Sequence, residues 1–126
     1  MSSSVTYNTD DGFITIWLEE KIDKALVMKL ASETGHVARQ NDCYLVLCDA
    51  REAMLSISIV EIYELPKIFI DILLETGVQI YKLKRALVVS TDVDDFTFFE
   101  TVSRNRGQNV MLFRSMDAAR LWLIEK

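Results

Sequence analysis

One proline, one histidine, two cysteines and four glycines among 126 residues exclude several kinds of chemistry at once. His36 stands alone on a helical stretch, with no cysteine or second histidine at ligand spacing, which rules out the usual zinc sites. So few glycines leave no phosphate-cradling loop and no dinucleotide turn, and the G-x-S-x-G elbow of serine hydrolases is also missing. A Cys-His nucleophile would need Cys43 or Cys48 beside His36, and Cys48 lies mid-strand, where a buried thiol is inert. The two cysteines fall on opposite faces of a strand-like segment and cannot join each other. Thiols used in this way point to a reducing, cytoplasmic setting. Positive charge is short as well: 14 Lys and Arg against 19 Asp and Glu give a net charge of -5, which argues against a nucleic-acid partner. No run reaches the roughly 18 uninterrupted apolar residues of a membrane span. The most apolar stretch, 57–74, is broken by Glu61, Glu64, Lys67 and Asp71, so no integral membrane segment is expected. Met1-Ser2-Ser3-Ser4 lacks the basic start and apolar continuation of a secretory signal. Asp92, Asp94 and Asp95 open a helix, where acids complement the dipole, and the glycine and closing glutamate of a calcium loop are absent. No catalytic residue, cofactor or metal ligand is therefore assigned, and the chain reads as a non-enzyme.

What is present is a single globular domain, residues 1–126. Half of the chain is hydrophobic and 26% is charged, ordinary proportions for a packed core. Strand-like segments at Ser4–Asn8 and Phe13–Leu18 flank Thr9-Asp10-Asp11-Gly12, whose Asp-Gly pair marks a hairpin because glycine accepts the positive φ of a tight turn. From Asp23 onward, Leu26, Leu30, Thr34, Val37 and Ala38 recur at helical spacing. Gly35 among them implies close packing or an early stop. Tyr44–Cys48 is a continuous apolar strand of the kind buried on both faces of a parallel sheet. Ser58–Thr76 is a second helical stretch ending at Gly77, and Pro66 within it predicts a break or kink at Leu65-Pro66. Ala86–Val89 is a further strand, preceded by Lys82, Lys84 and Arg85. With Arg104 and Arg106, these read as a solvated basic rim, the other reading being a site near one sheet edge for an anion or an acidic partner. A helix over 92–106, a strand at Val110–Phe113 and a helix capped by Ser115 complete the chain. The order, a β-hairpin followed by α-β-α-β-α-β-α, implies right-handed parallel crossovers with the first strand antiparallel to the rest.

That order is matched by particular residues. They are Lys84-Arg85-Ala86-Leu87-Val88-Val89, a Phe-rich helix ending Asn105-Arg106-Gly107, the strand closing at Phe113, and the ending Ala119-Arg120-Leu121-Trp122-Leu123. Asp49, two residues before Arg51, belongs with them. Together they resemble the STAS-like family of anti-sigma-factor antagonists (SpoIIAA-like), in the branch grouped as STAS/SEC14-like. The resemblance covers almost the whole chain in element order. It implies an α/β fold wound as a βα superhelix: a mixed sheet of four or five strands, an N-terminal β-hairpin and about four helices. It also implies homodimers, roles in protein–protein regulation and, on the SEC14-like side, binding of apolar ligands. Antagonists carry an Asp-Ser-Gly segment whose phosphorylatable serine caps the second main helix. Here the stretch is Asp49-Ala50-Arg51-Glu52-Ala53-Met54-Leu55-Ser56, with no Ser-Gly beside the aspartate, so the phospho-switch does not carry over.

The strongest functional signal lies between Ile59 and Glu75. Glu61, Glu64, Lys67, Asp71 and Glu75 fall within roughly 120° of a helix circumference. The apolar residues spread over roughly 200°, about twice what an ordinary core-facing stripe needs. One explanation is a deeply buried helix under neighbouring loops; the other is an apolar surface or groove for a second subunit or an apolar ligand. The second names Ile59, Ile62, Tyr63, Phe69, Ile70 and Leu73, together with Phe98, as the interface or ligand surface. Phe98 is displaced around its helix from Phe96 and Phe99, which read as core. Ser58-Ile59-Val60-Glu61 fits a capping box, and at Ser56 or Ser58 a phosphate would meet free helix N–H groups. The resulting expectation is a non-enzymatic regulatory or interaction module that forms a homodimer or binds a protein partner through an apolar helical surface. A small apolar-ligand (lipid) binding protein of the SEC14-like type is the alternative.

Overall fold

Asn8 turns the chain back on itself: its Oδ1 accepts from the Asp10 N–H at 2.8 Å, and its carbonyl accepts from the Gly12 N–H at 2.9 Å. Gly12 sits at φ +76°, which it reaches without the penalty a Cβ would bring. The turn joins β1 (Ser4–Asn8) to β2 (Phe13–Ile22) as an antiparallel pair, with Val5 opposite Ile16 and Tyr7 opposite Ile14. The computed structural model describes residues 3–90 and 93–125, so Asp92 lies outside the described residues. After the hairpin come α1 (Lys24–Asn41), β3 (Leu45–Leu55), α2 (Ile59–Glu75), β4 (Lys84–Val88), α3 (Val93–Asn105), β5 (Asn109–Phe113) and α4 (Met116–Ile124). The strands lie side by side in chain order, β2 to β5 all parallel. The mixed sheet behind a hairpin, inferred from the sequence, is the sheet that forms.

Helices cover both faces. Ala38 of α1 and Leu65, Phe69 and Leu73 of α2 pack against Ile14 and Val46. Leu30 of α1 and Phe96 of α3 meet Leu18, Ile22 and Leu87 on the same side. On the other face, Ala119 and Leu123 of α4 pack on Phe13, Leu47, Ala86 and Val88. Strand alternation sorts side chains between these two cores, so neighbours in β3 and β4 point into different ones.

The structure departs from the sequence pattern in three places. First, β2 and β3 run on to Ile22 and Leu55 as a parallel ribbon beyond the reach of β4, with a register shift between Trp17 and Glu19. That bulge, and the exposed Arg51, Glu52 and Met54, hide the strand's alternation. Cys43 consequently precedes β3 instead of lying in it; both cysteines are free thiols. Second, of the break or kink expected at Leu65-Pro66 the break does not occur, and α2 continues through Pro66. Ile62, Leu65, Phe69 and Leu73 form one buried stripe across the proline, and tertiary packing outweighs its local cost. Third, Lys84 and Arg85 are not a solvated rim. They open β4, between Leu45 and Val46 on one side and Asn109 and Val110 on the other. Lys84 turns to the α4 face, where its Nζ donates to the carbonyls of Trp122 and Glu125 and closes that helix's C-terminus.

Gly35 is where α1 and α2 approach each other. A Cβ there would overlap the side chain of Thr76, which is buried and donates from Oγ1 to the Leu73 carbonyl at 2.7 Å. Close packing, one of the two explanations the sequence left open, is why the glycine is there. Gly35→Ala should therefore lower stability by about 1–3 kcal/mol, as overpacking does, although alanine is the better helix former. Denaturant unfolding of Gly35→Ala, Thr76→Ala and the double variant measures the coupling; additive effects would contradict it.

Candidate functional site

Arg85 lies in the central strand row formed by Ile14, Val46, Arg85 and Val110 across β2 to β5. It shares the α1–α3 side of β4 with Leu87, so its side chain enters the larger core where an apolar residue would be usual. The guanidinium makes one hydrogen bond, from Nη2 to Oε1 of the buried Gln108 at 2.6 Å. Gln108 is held in turn by its own Nε2, which donates to the Pro66 carbonyl of α2 at 2.8 Å. That second bond fixes which end of the amide faces the arginine. Nε of Arg85 is buried and has no acceptor, and no carboxylate lies within ion-pairing distance among the described residues. The Phe69 ring stands 6.0 Å from the guanidinium carbon. Arg85 keeps some accessible surface and lines a cavity.

The cavity is there: about 130 Å³ between the sheet and the three helices. Leu30 and Thr34 of α1, Ile62, Phe69 and Leu73 of α2, and Phe96 and Phe99 of α3 line it from above. Val46, Cys48, Arg85 and Leu87 belong to its floor. Thr34 spends its hydroxyl on the Leu30 carbonyl at 2.7 Å, so it offers no free donor. Arg85 is the one charged residue in the wall among the described residues. Burial pushes its guanidinium down to about 10, opposed by the neighbouring Cys48. Burial, and then the adjacent Asp49, push the Cys48 thiol up to about 12, against a pull from Arg85. At neutral pH the site therefore holds a cation and a neutral thiol.

The structure divides the residues that the sequence grouped on one surface. Ile62, Phe69 and Leu73 are buried and line the cavity. Ile59 and Tyr63 are exposed, at 56% and 54%, and Ile70 is half-buried beside Leu74, which is 53% exposed. Ile59, Tyr63, Ile70 and Leu74 fall within roughly 60° of the helix circumference, opposite to neither core nor acids but between them. Arg106 lies over Tyr63, 5.8 Å from the ring centroid. Phe98 is half-buried and outside the cavity wall, while Phe96 and Phe99 contribute to it. Gln108 was missed, and Arg85 was read only as one member of a basic cluster. The available signal was a charge directly beside a strand covered on both faces, which leaves it no route to solvent.

The remaining polar residues do structural work. Ser58 and Glu61 form a reciprocal capping box, with Ser58 Oγ accepting from the Glu61 N–H at 3.2 Å and Glu61 Oε1 accepting from the Ser58 N–H at 3.1 Å. Ser56 is exposed, its N–H spent on the Ile22 carbonyl at 2.8 Å. Asp49 is buried; that alone would raise its carboxyl, but Arg51 outweighs it and holds the group below its ordinary 3.8. Arg51 donates from Nε at 2.9 Å, from Nη2 at 2.8 Å and from its backbone N–H at 3.2 Å. Asp94 and Asp95 lie in the first turn of α3, and no group of metal-ligating side chains occurs among the described residues. No helix among them is long and apolar enough to cross a membrane.

The hairpin, the parallel crossovers in chain order and the three-to-one division of helices define a SpoIIAA-like, or STAS-like, fold. Solved structures agree. An uncharacterized protein of the DUF3478 family from Shewanella loihica, with a SpoIIAA-like fold, is 13% identical with a TM-score of 0.58, the match covering 97% of this chain and 92% of that one. The anti-sigma factor antagonist SpoIIAA in its unphosphorylated form is 10% identical with a TM-score of 0.50, covering 94% of each chain. No family model matches the chain, and no curated protein matches it significantly. At these identities the likeness is one of fold.

An unpaired buried cation costs stability. The folded state holds the Arg85 proton less tightly than the unfolded chain, so the cost is present in full below about pH 10 and eases above it. Arg85→Met, which keeps the length without the charge, should raise the unfolding free energy by about 1–3 kcal/mol. The gain should be constant from roughly pH 6 to 9, because the group does not titrate there. A loss of stability in denaturant titrations would contradict the assignment.

Proposed function

We propose that this chain is a non-enzymatic binding module that takes a small apolar group into the cavity beneath α2. The observation that carries this is the cavity itself, about 130 Å³ walled by Leu30, Ile62, Phe69, Leu73 and Phe96. Packed interiors contain few voids larger than a water molecule. An engineered apolar cavity of about 150 Å³ binds benzene, so this volume suits a ring or a chain of about six carbons. The module acts by changing a protein contact, as the role of the anti-sigma factor antagonist of the same fold suggests. α2 is built for that coupling: its buried residues face the ligand, and Ile59, Tyr63 and Leu74 face outward. 1-Hexanol at saturation should raise the melting temperature, since a ligand of the native state alone stabilises it. Ala31 of α1 also lines the cavity, and Ala31→Leu, which fills it, should abolish that shift while remaining folded. An unmoved melting temperature in the unmodified chain would refute the proposal.

A second function rests on a separate observation, the outer stripe of α2. Four large apolar side chains more than half exposed on one helix, Ile59, Val60, Tyr63 and Leu74, with Tyr81 also exposed, favour a homodimer through that face. Light scattering should then give a dimer for the unmodified chain and a monomer for Ile59→Glu/Tyr63→Glu. A strict monomer at high concentration would contradict the dimer.

A further inference from the structure

We infer that the cavity ligand carries a single anionic oxygen head group, carboxylate or phosphate, and that Arg85 is the residue that receives it. The inference rests on the apolar-ligand function proposed above and adds the chemical class of the ligand.

An ordinary apolar pocket needs no charge. This one contains a guanidinium whose Nε is buried without an acceptor, in a wall otherwise of hydrocarbon, sulfur and one internally bonded threonine. Buried arginines are normally paired, because an isolated charge loses far more hydration than a neutral group does. The structure offers instead a neutral amide. Gln108 takes one N–H of the guanidinium, and its own amide is tied back to Pro66, which holds the arginine in place without cancelling its charge. Elsewhere this chain pairs arginine with carboxylate in the usual way: Arg51 grips Asp49 through Nε and Nη2 at 2.9 and 2.8 Å. Arg85 carries the same planar guanidinium, which matches the oxygens of a carboxylate or phosphate; Nη2 is taken by Gln108, Nε is buried without an acceptor, and Nη1 makes no hydrogen bond among the described residues. The Phe69 ring beside the guanidinium and the leucines farther along supply the surface for the apolar tail. The ligand is thus an acid with a ring or a chain of about six carbons, its head at β4 and its tail under α2.

The test compares head groups on one tail. Hexanoate and hexyl phosphate should each bind the unmodified chain at least about tenfold tighter than 1-hexanol, the increment expected of a charge-assisted hydrogen bond in a dry site. Hexylammonium should not bind. Whichever anion binds tighter identifies the head group. Arg85→Met should bring the anions down to the affinity of 1-hexanol measured in the same variant. Arg85→Lys, which keeps the charge but not the fork, should retain part of the anion preference. Equal affinities for hexanoate, hexyl phosphate and 1-hexanol in the unmodified chain would overturn the inference and leave the apolar cavity standing. Failure of all three to bind would overturn both.

Discussion

A charged residue in a strand that has neighbours on both edges and helices on both faces loses most of its contact with water. That constraint governs Arg85 and, through it, the centre of this molecule. β4 lies between β3 and β5, α2 and α3 close one side, and α4 closes the other. Lys84 escapes because its face ends at α4, whose last carbonyls need a donor. Arg85 faces the thick core and meets one neutral amide. A packed apolar side chain there would make the better-sealed core, and the protein instead keeps a cation and about 130 Å³ of space beside it. A feature that opposes stability and sits in a cavity fits a ligand site more simply than a packing device.

α2 connects that site to the surface. Its apolar residues exceed one face because the helix serves two surroundings: the stripe through Ile62, Leu65, Phe69 and Leu73 roofs the cavity, and the stripe through Ile59, Tyr63 and Leu74 meets solvent. Gly35 against Thr76 sets how closely α1 approaches it. Gln108, reaching across from the start of β5, ties the middle of α2 to Arg85 through the Pro66 carbonyl. The cavity and the exposed face therefore bear on the same helix, which is the minimum that the proposed coupling between them requires.

Much of this architecture was legible in the sequence. Hydrophobic period and punctuation located the hairpin, the four helices and the parallel strands, because those signals are local. The Asp-Gly turn, the Asp23 and Ser58 caps and the stop at Gly77 each act within a few residues of themselves. What escaped was set by distant neighbours. The continuation of β3 past Asp49 depends on pairing with β2 alone. The integrity of α2 at Pro66 depends on the sheet beneath it. The excess of apolar surface on α2 was visible, but not its division into a roof and an outer stripe, since both lie at helical spacing. Arg85 was assigned to the rim because basic residues before a strand usually are solvated; its burial follows only once β5 and α2 are in place.

The central claim is that Arg85 is charged, with its Nε buried and its guanidinium unpaired by any carboxylate among the described residues. The most direct measurement is solvent exchange at its Nε–H, followed by nuclear magnetic resonance near neutral pH with the signal assigned by its loss in Arg85→Met. The account predicts a resolved signal exchanging markedly more slowly than those of the exposed arginines. Exchange as fast as theirs would show the side chain in water and contradict it.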